Sequence, residues 1–210
     1  MLDVHEPEHP IFGVRDFLVH LFTITVGLLI ALGLENLAEW RHHVHLKHQA
    51  EETIRLELQA NQNDLKEVLK AIPSEMQMLQ SIQTYLQAKA TGQPITPGRM
   101  QTGIVQMTPQ NAAWNTASAT GALNYMDYAE VQRFSSAYSL QTKMEHFQDQ
   151  AIGPLLGITA ALGTSDPTKM TPTQAEDALK EVRLSMAHLS ATAGLAQDVS
   201  KAYDEALKEK

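Results

Sequence analysis

The stretch FLVHLFTITVGLLIALGL, residues 17–34, contains no Asp, Glu, Lys or Arg. As an α-helix it is ~27 Å long at ~1.5 Å per residue, close to the ~30 Å hydrocarbon layer of a bilayer. His20 is its one ionisable side chain and stands near one end. Arg15 and Asp16 bound the run on one side, Glu35 and Glu39 on the other. The core-facing helix of a globular domain carries a polar stripe on its other side. This run has none, so it reads as a single transmembrane helix. A cleaved signal peptide competes, because Ala31-Leu32-Gly33 has a small-residue cleavage pattern. The leader argues against it: residues 1–16 set four acids, Asp3, Glu6, Glu8 and Asp16, against Arg15 and the amino terminus. The expectation is an uncleaved anchor behind a short acidic tail, 1–16.

Just beyond the run, EWRHHVHLKH at 39–48 packs four histidines, an arginine and a lysine into ten positions. Trp40 stands where an interfacial aromatic belongs, and Arg41 and Lys47 can reach lipid phosphates. His42, His45 and His48 recur at i, i+3 and i+6 and share a side of a helix, with His43 turned away. Trp40, Arg41, His42, His45, Lys47 and His48 are therefore expected to form a membrane-interface collar. The competing reading is metal. Glu39 and His42 make the Glu-x-x-His half-motif of di-iron bundles, which needs a second copy on a facing helix. The other copy, Glu6 and His9, lies in the tail on the far side of the span. No metal ligand set is assigned.

Past the collar the apolar positions follow a heptad: Leu37, Trp40, Val44, Ile54, Leu58, Leu65, Val68, Ile72, Leu79, Ile82 and Leu86. Lys47, Glu51, Asn61 and Glu75 interrupt the seam. The pattern predicts long stalk or bundle helices over 35–90 that continue the membrane helix, kinked or restarted at Pro73. TGQPITPG opens a loop over 91–108. Thr108 and Pro109 predict the N-cap and first position of a short helix through Ala119. Asp127 and Glu130 predict a capping box, and Gly153-Pro154 a bend in the helix that follows. Thr171, Pro172 and Gln174 open the last helix. The two long helices, 127–163 and 172–208, are joined by a short loop and should form an antiparallel hairpin. In one register Leu162 faces Ala175, Ile158 faces Leu179, Ala151 faces Met186 and Phe134 faces Tyr203. The fold class is thus all-α, with an N-terminal transmembrane helix continuing into a long helix, then an antiparallel bundle over 109–210.

A net charge of −8 argues against a nucleic-acid partner, whose phosphates need a basic face. Without cysteine, disulfides and thiolate chemistry are excluded. The sequence has neither a nucleophile elbow nor a glycine-rich phosphate loop, so no catalytic residue and no cofactor is assigned. The stretch most like a site is NAAWNTASATGALNY, 111–125. Six of the twelve aromatic residues lie between Trp114 and Phe147. Asn111, Trp114, Asn115, Tyr125, Tyr128 and Tyr138 are the candidate lining of a polar-aromatic ligand pocket over 111–138. The plainer alternative is that these aromatics plug the end of the bundle.

TVGLLIALGLENLAEW followed by LELQANQNDL, and the later block ASATGALNYMDYAEVQRFSSAY with Thr120, Gly121, Ala122 and Leu123 at its turn, resemble an uncharacterised group of small single-span bacterial membrane proteins. The likeness covers roughly 11–70 and 110–140. It implies no activity and no catalytic residue. It implies the bacterial inner membrane, with the helical domain on the periplasmic side. Charge alone points the other way, since Arg41, Lys47 and Arg55 follow the span and only Arg15 precedes it. One departure bears on this: the group has a basic tail before its membrane helix, and here the tail is acidic. The functional expectation is a membrane-anchored helical bundle without catalytic activity. It would contact the lipid bilayer and bind a protein partner or assist assembly of a membrane complex. A ligand-sensing module at 111–138 and a bundle metalloprotein are the alternatives.

Overall fold

The computed structural model describes residues 13–96, 106–163 and 169–208. Among these the chain is all-α: α1 Val14–Ala90, α2 Ala112–Ala119, a single-turn 3-10 helix Ala122–Tyr125, α3 Tyr128–Gly163 and α4 Pro172–Leu207, with no strand. Two compact units emerge, 1–48 and 49–210, and the division falls within α1.

In the first unit α1 holds a window of eighteen residues with mean hydropathy 2.3, none of it buried within the chain. The Thr23 and Thr25 hydroxyls donate back to the carbonyls of Val19 and Leu21 at 2.9 and 2.8 Å. The two hydroxyls in the run are thereby satisfied inside the helix. The heptad does not extend a seam into this unit at every position: Leu37 and Trp40 are 51% and 60% exposed.

In the second unit Ile54, Leu58, Leu65, Val68, Leu79, Ile82 and Leu86 of α1 are buried, as the seam predicts. Cross-links between helices give the topology. Arg55 meets Glu130, Glu57 meets Tyr138 and Asn61 meets Gln141, so α1 and α3 run parallel. Gln62 meets Asp204 at one end, while Leu79, Ile82 and Leu86 share a core with Ala175, Leu179 and Val182 at the other, so α4 runs against them. α3 and α4 pack closely along their lengths. A Cβ built on Gly157 would sit 2.9 Å from Glu181 Cγ, and the Phe147 and His188 rings meet edge to face at 6.2 Å. The heptad register puts residue 180 opposite Gly157 and 190 opposite Phe147; the neighbours found are one and two residues away.

Two local expectations need correction. α1 is one helix through Pro73, not two. Pro73 is exposed, and Glu75 and Leu79 beyond it are buried, so packing holds the following turns in helical continuity. α3 also continues across Gly153 and Pro154, where the sequence places a bend within one helix. α2 begins at Ala112 with Asn111 as its N-cap, not at Thr108 and Pro109; the backbone there is engaged otherwise, as described below. The predicted starts of the two long helices are found. Asp127 Oδ1 accepts from the N–H groups of Ala129 and Glu130 at 3.0 and 3.2 Å. Thr171 and Gln174 form a reciprocal capping box. Gly121, at φ +74°, ends α2 in a left-handed conformation that L-residues with a Cβ rarely adopt. The tail 1–12, the central part of the 91–108 loop and the hairpin connection 164–168 lie outside the described residues.

The contact at Gly157 makes the α3–α4 packing testable. Gly157→Leu should destabilise the fold by about 1–3 kcal/mol through overpacking against Glu181, measured by chemical denaturation. Glu181→Ala in the same chain should recover most of the loss. If the second substitution gives no recovery, Gly157 does not face Glu181.

Candidate functional site

The polar residues of the second unit converge beneath the segment 106–111, where Met107 and Pro109 are buried and Gln106, Thr108, Gln110 and Asn111 are exposed. Asn61, fully buried on α1, grips one residue of that segment at both ends. Its Nδ2 donates to the Gln110 carbonyl at 2.7 Å, and its Oδ1 accepts from the Gln110 N–H at 2.8 Å. Gln141 Nε2 donates to the same carbonyl at 3.1 Å. Gln141 Oε1 accepts from Asn61 at 3.1 Å and from the Tyr203 hydroxyl at 2.7 Å. About two turns along α3, Gln148 repeats the grip. In the amide orientation that matches donor to acceptor, it donates to the Met107 carbonyl at 3.2 Å and accepts from its N–H at 3.3 Å. A strand in a sheet would satisfy its backbone on a neighbouring strand; here side-chain amides supply both partners.

Beside this clamp, buried Glu57 spans two elements. Its Oε2 accepts from the Ala113 N–H at 2.9 Å and its Oε1 from the Tyr138 hydroxyl at 2.6 Å. A carboxylate at the start of α2 satisfies a backbone donor that has no partner within the helix. Trp114 stacks on Tyr138, with ring centroids 5.2 Å apart. At the same end Arg55 bonds Glu130, donates to the Leu207 carbonyl near the end of α4 at 3.4 Å, and lies over the Phe134 ring. Burial, with the Glu57 carboxylate bonded to it, holds the Tyr138 hydroxyl far above the ordinary tyrosine range. Burial also raises Tyr203, helped by the negative charges of Glu145, Asp64 and Glu57.

Of the six residues proposed for a pocket, the structure joins some and separates others. Trp114 and Tyr138 are in contact. Asn115 Nδ2 donates to Asn111 Oδ1 at 3.2 Å on the exposed side of α2. Tyr128 is exposed and accepts from Gln132 at 3.1 Å, and Tyr125 sits in the 3-10 turn. Two concavities described in the bundle lie elsewhere. A groove of about 360 Å³ passes Met107 and Thr108 and is edged by Glu145, His146 and Asp149. Burial and the nearby Asp149 push the Glu145 carboxyl up, against the opposing pull of His146. A cavity of about 20 Å³ lies between Val68, Ile72, Glu75, Gln148, Leu189 and Thr192.

In the collar, Trp40, Arg41, His42, His45 and His48 are exposed, while His43 and Lys47 are half-buried. His43 Nε2 stands 3.9 Å from Glu39 Oε1, so Glu39 is nearer to His43 than its Glu-x-x-His spacing to His42 suggests. Among the described residues no group of three or more His, Asp or Glu side chains is placed to share a metal ion; Glu6 and His9 lie outside them.

Sequence reasoning singled out Asn61 as a polar seam residue but missed Glu57, Gln141, Gln148 and Tyr203 as its associates. A signal was there. The apolar positions of α3, Phe134, Tyr138, Met144, Phe147 and Ala151, skip one step of their 3–4 alternation, and the residue standing there is Gln141.

Two outcomes test the clamp. Asn61→Ala should destabilise the fold by about 1–3 kcal/mol for each Gln110 backbone group left unpaired, read by urea denaturation. A loss within the error of a surface substitution would remove the clamp from the account. The tyrosines give a pH dependence. Their folded-state values lie above the free value of about 10. Their contribution is therefore complete below pH ~10 and declines as pH rises further, because the unfolded chain ionises first. Tyr138→Phe with Tyr203→Phe should flatten that alkaline decline. An unchanged slope would assign it to other groups.

No known protein family, curated protein or solved structure matches the chain.

Proposed function

We propose that this chain is a membrane-anchored helical-bundle protein without catalytic activity, which binds a protein partner or serves as an accessory subunit in the assembly of a membrane complex. The observation that carries the reading is the eighteen-residue apolar window in α1 with none of its surface covered by the chain. A soluble protein would bury such a helix or expose several hundred Å² of apolar surface to water. The bilayer covers it instead. The junction described above serves a scaffold: its carboxylate, amides and hydroxyls are committed to one another and to backbone groups. In the bundle Ile152 and Leu156 on α3 and Leu184 on α4 are also exposed, and they supply apolar area for a partner surface. The resemblance to single-span bacterial membrane proteins supports the inner membrane as the location and the periplasm as the side of the helical domain.

The anchor predicts that the expressed chain pellets with membranes and stays there after carbonate at alkaline pH. Recovery in the supernatant without detergent would end this reading. The absence of native cysteine makes the side of the membrane directly readable. A single cysteine in place of exposed Ser135 should react with a membrane-impermeant maleimide applied to intact cells whose outer membrane has been permeabilised. Labelling only after lysis would put the bundle in the cytoplasm.

A further inference from the structure

We propose that the seat of residues 106–110 is a binding groove for a proline-containing segment of a protein partner, filled in the free chain by the chain's own residues. The inference rests on the partner-binding reading above and gives that partner a chemistry.

The seat recognises backbone. Asn61 takes both the N–H and the carbonyl of Gln110, and Gln148 takes both from Met107. Neither grip depends on the side chain of the residue it holds. The two gripped residues are three apart, the period of a polyproline II chain, and Pro109 stands between them. Selectivity is left to the two buried positions, Met107 and Pro109, because Gln106, Thr108 and Gln110 are exposed. The groove therefore fits a segment with an apolar residue and, two places on, a proline. Such segments bind at low entropic cost, since proline already restricts them.

The chain's own segment is held by side chains alone. Among the described residues no backbone–backbone hydrogen bond joins 106–110 to any element. None of its residues belongs to the core that Leu79, Ile82 and Leu86 share with α4. Segments held in this way open locally, ahead of global unfolding. Opening takes from Asn61, Gln141 and Gln148 the backbone partners they hold, and an incoming segment of the same form restores them.

The fit of the resident segment is also incomplete. The cavity of about 20 Å³ lies beside Gln106, against Val68, Ile72 and Leu189 as well as Glu75 and Thr192. It has room for about one methyl group or water. A partner with an apolar residue in the place of Gln106 fills this space. The groove of about 360 Å³ that passes Met107 and Thr108 gives it an approach.

The resident segment competes at an effective concentration on the order of millimolar, so the test weakens it. The full chain is held in detergent micelles, and a capped fluorescent peptide, QMTPQN, is followed by anisotropy. Gln110→Pro removes the N–H that Asn61 accepts from, and Met107→Ser weakens one buried position. Both leave the residues of α1 and α3 in place. Each variant should bind the peptide more tightly than the wild-type chain by about tenfold or more. LMTPQN should bind about fourfold more tightly than QMTPQN, the effect of one buried methylene. Methylating the backbone nitrogen of the second glutamine in the peptide should remove the gain, as should Asn61→Ala added to either variant. Circular dichroism follows the helix content of each chain. Folded variants that bind no peptide, or that bind the methylated peptide equally well, would overturn the groove. Loss of helix content in both variants would overturn it too, because the segment would then belong to the folding core. The same variants should still pellet with membranes. Failure of the groove therefore leaves the anchor standing, whereas a chain that does not pellet overturns the anchor.

Discussion

The two-ended grip of Asn61 on Gln110 is the constraint from which the rest of the bundle follows. Because α1 and α3 run parallel, the chain must travel back along the bundle between them, and it does so without regular structure over 106–111. Such a segment carries backbone groups that would be costly to bury unpaired. Asn61, Gln141 and Gln148 supply the missing partners from the helices themselves. Glu57 then fixes the start of α2, and Tyr138, bonded to the same carboxylate, sets the stacking surface for Trp114. Without the segment in this place, Asn61, Gln141 and Gln148, all buried, would lose the backbone partners they hold.

The helical class was legible in the sequence because it rests on periodicity. Ile54, Leu58, Leu65, Val68, Leu79, Ile82 and Leu86 sit where a heptad puts them and are buried there. Capping at Thr171 was legible for a similar reason, since both bonds lie within one turn. What sequence reading missed depends on contacts across long separations. Thr108 and Pro109 have the local form of a helix start, but Asn61 and Gln148, from distant parts of the chain, take the neighbouring backbone. Pro73 has the form of a helix break, yet the turn beyond it stays helical because Glu75 and Leu79 are buried. In the candidate pocket the aromatic clustering was visible, but the stacking of Trp114 on Tyr138 depended on Glu57, which reads in isolation as one more acid on a charged helix.

The two parts of α1 differ in composition, as the proposed anchor requires. Over 17–34 the surface is apolar all round, and its hydroxyls are bonded to the helix's own backbone. From Gln49 onward α1 is amphipathic, with a buried seam that includes Glu57, Asn61 and Glu75 and its other charged residues outside it. Residues 39–48 lie between and have neither pattern: an exposed tryptophan is followed by an arginine, four histidines and a lysine, with Val44 and Leu46 among them. Such a sequence suits the narrow zone where dielectric constant and charge density change most steeply with depth.

The parallel arrangement of α1 and α3 also sets an order for assembly during synthesis. The partners of Asn61 and Glu57 come from Gln110, Ala113, Tyr138 and Gln141, and the hydroxyl that completes the junction belongs to Tyr203. None of these exists when α1 leaves the ribosome. α3 and α4 are neighbours in sequence and can close as a local hairpin, whereas α1 must wait for contacts some eighty residues away, whose loop-closure entropy slows their formation. During that interval the apolar seam of α1 has no protein to cover it. Insertion of residues 17–34 into a bilayer would hold one end of α1 at the membrane surface, so that the hairpin docks onto a helix already tethered and confined in direction.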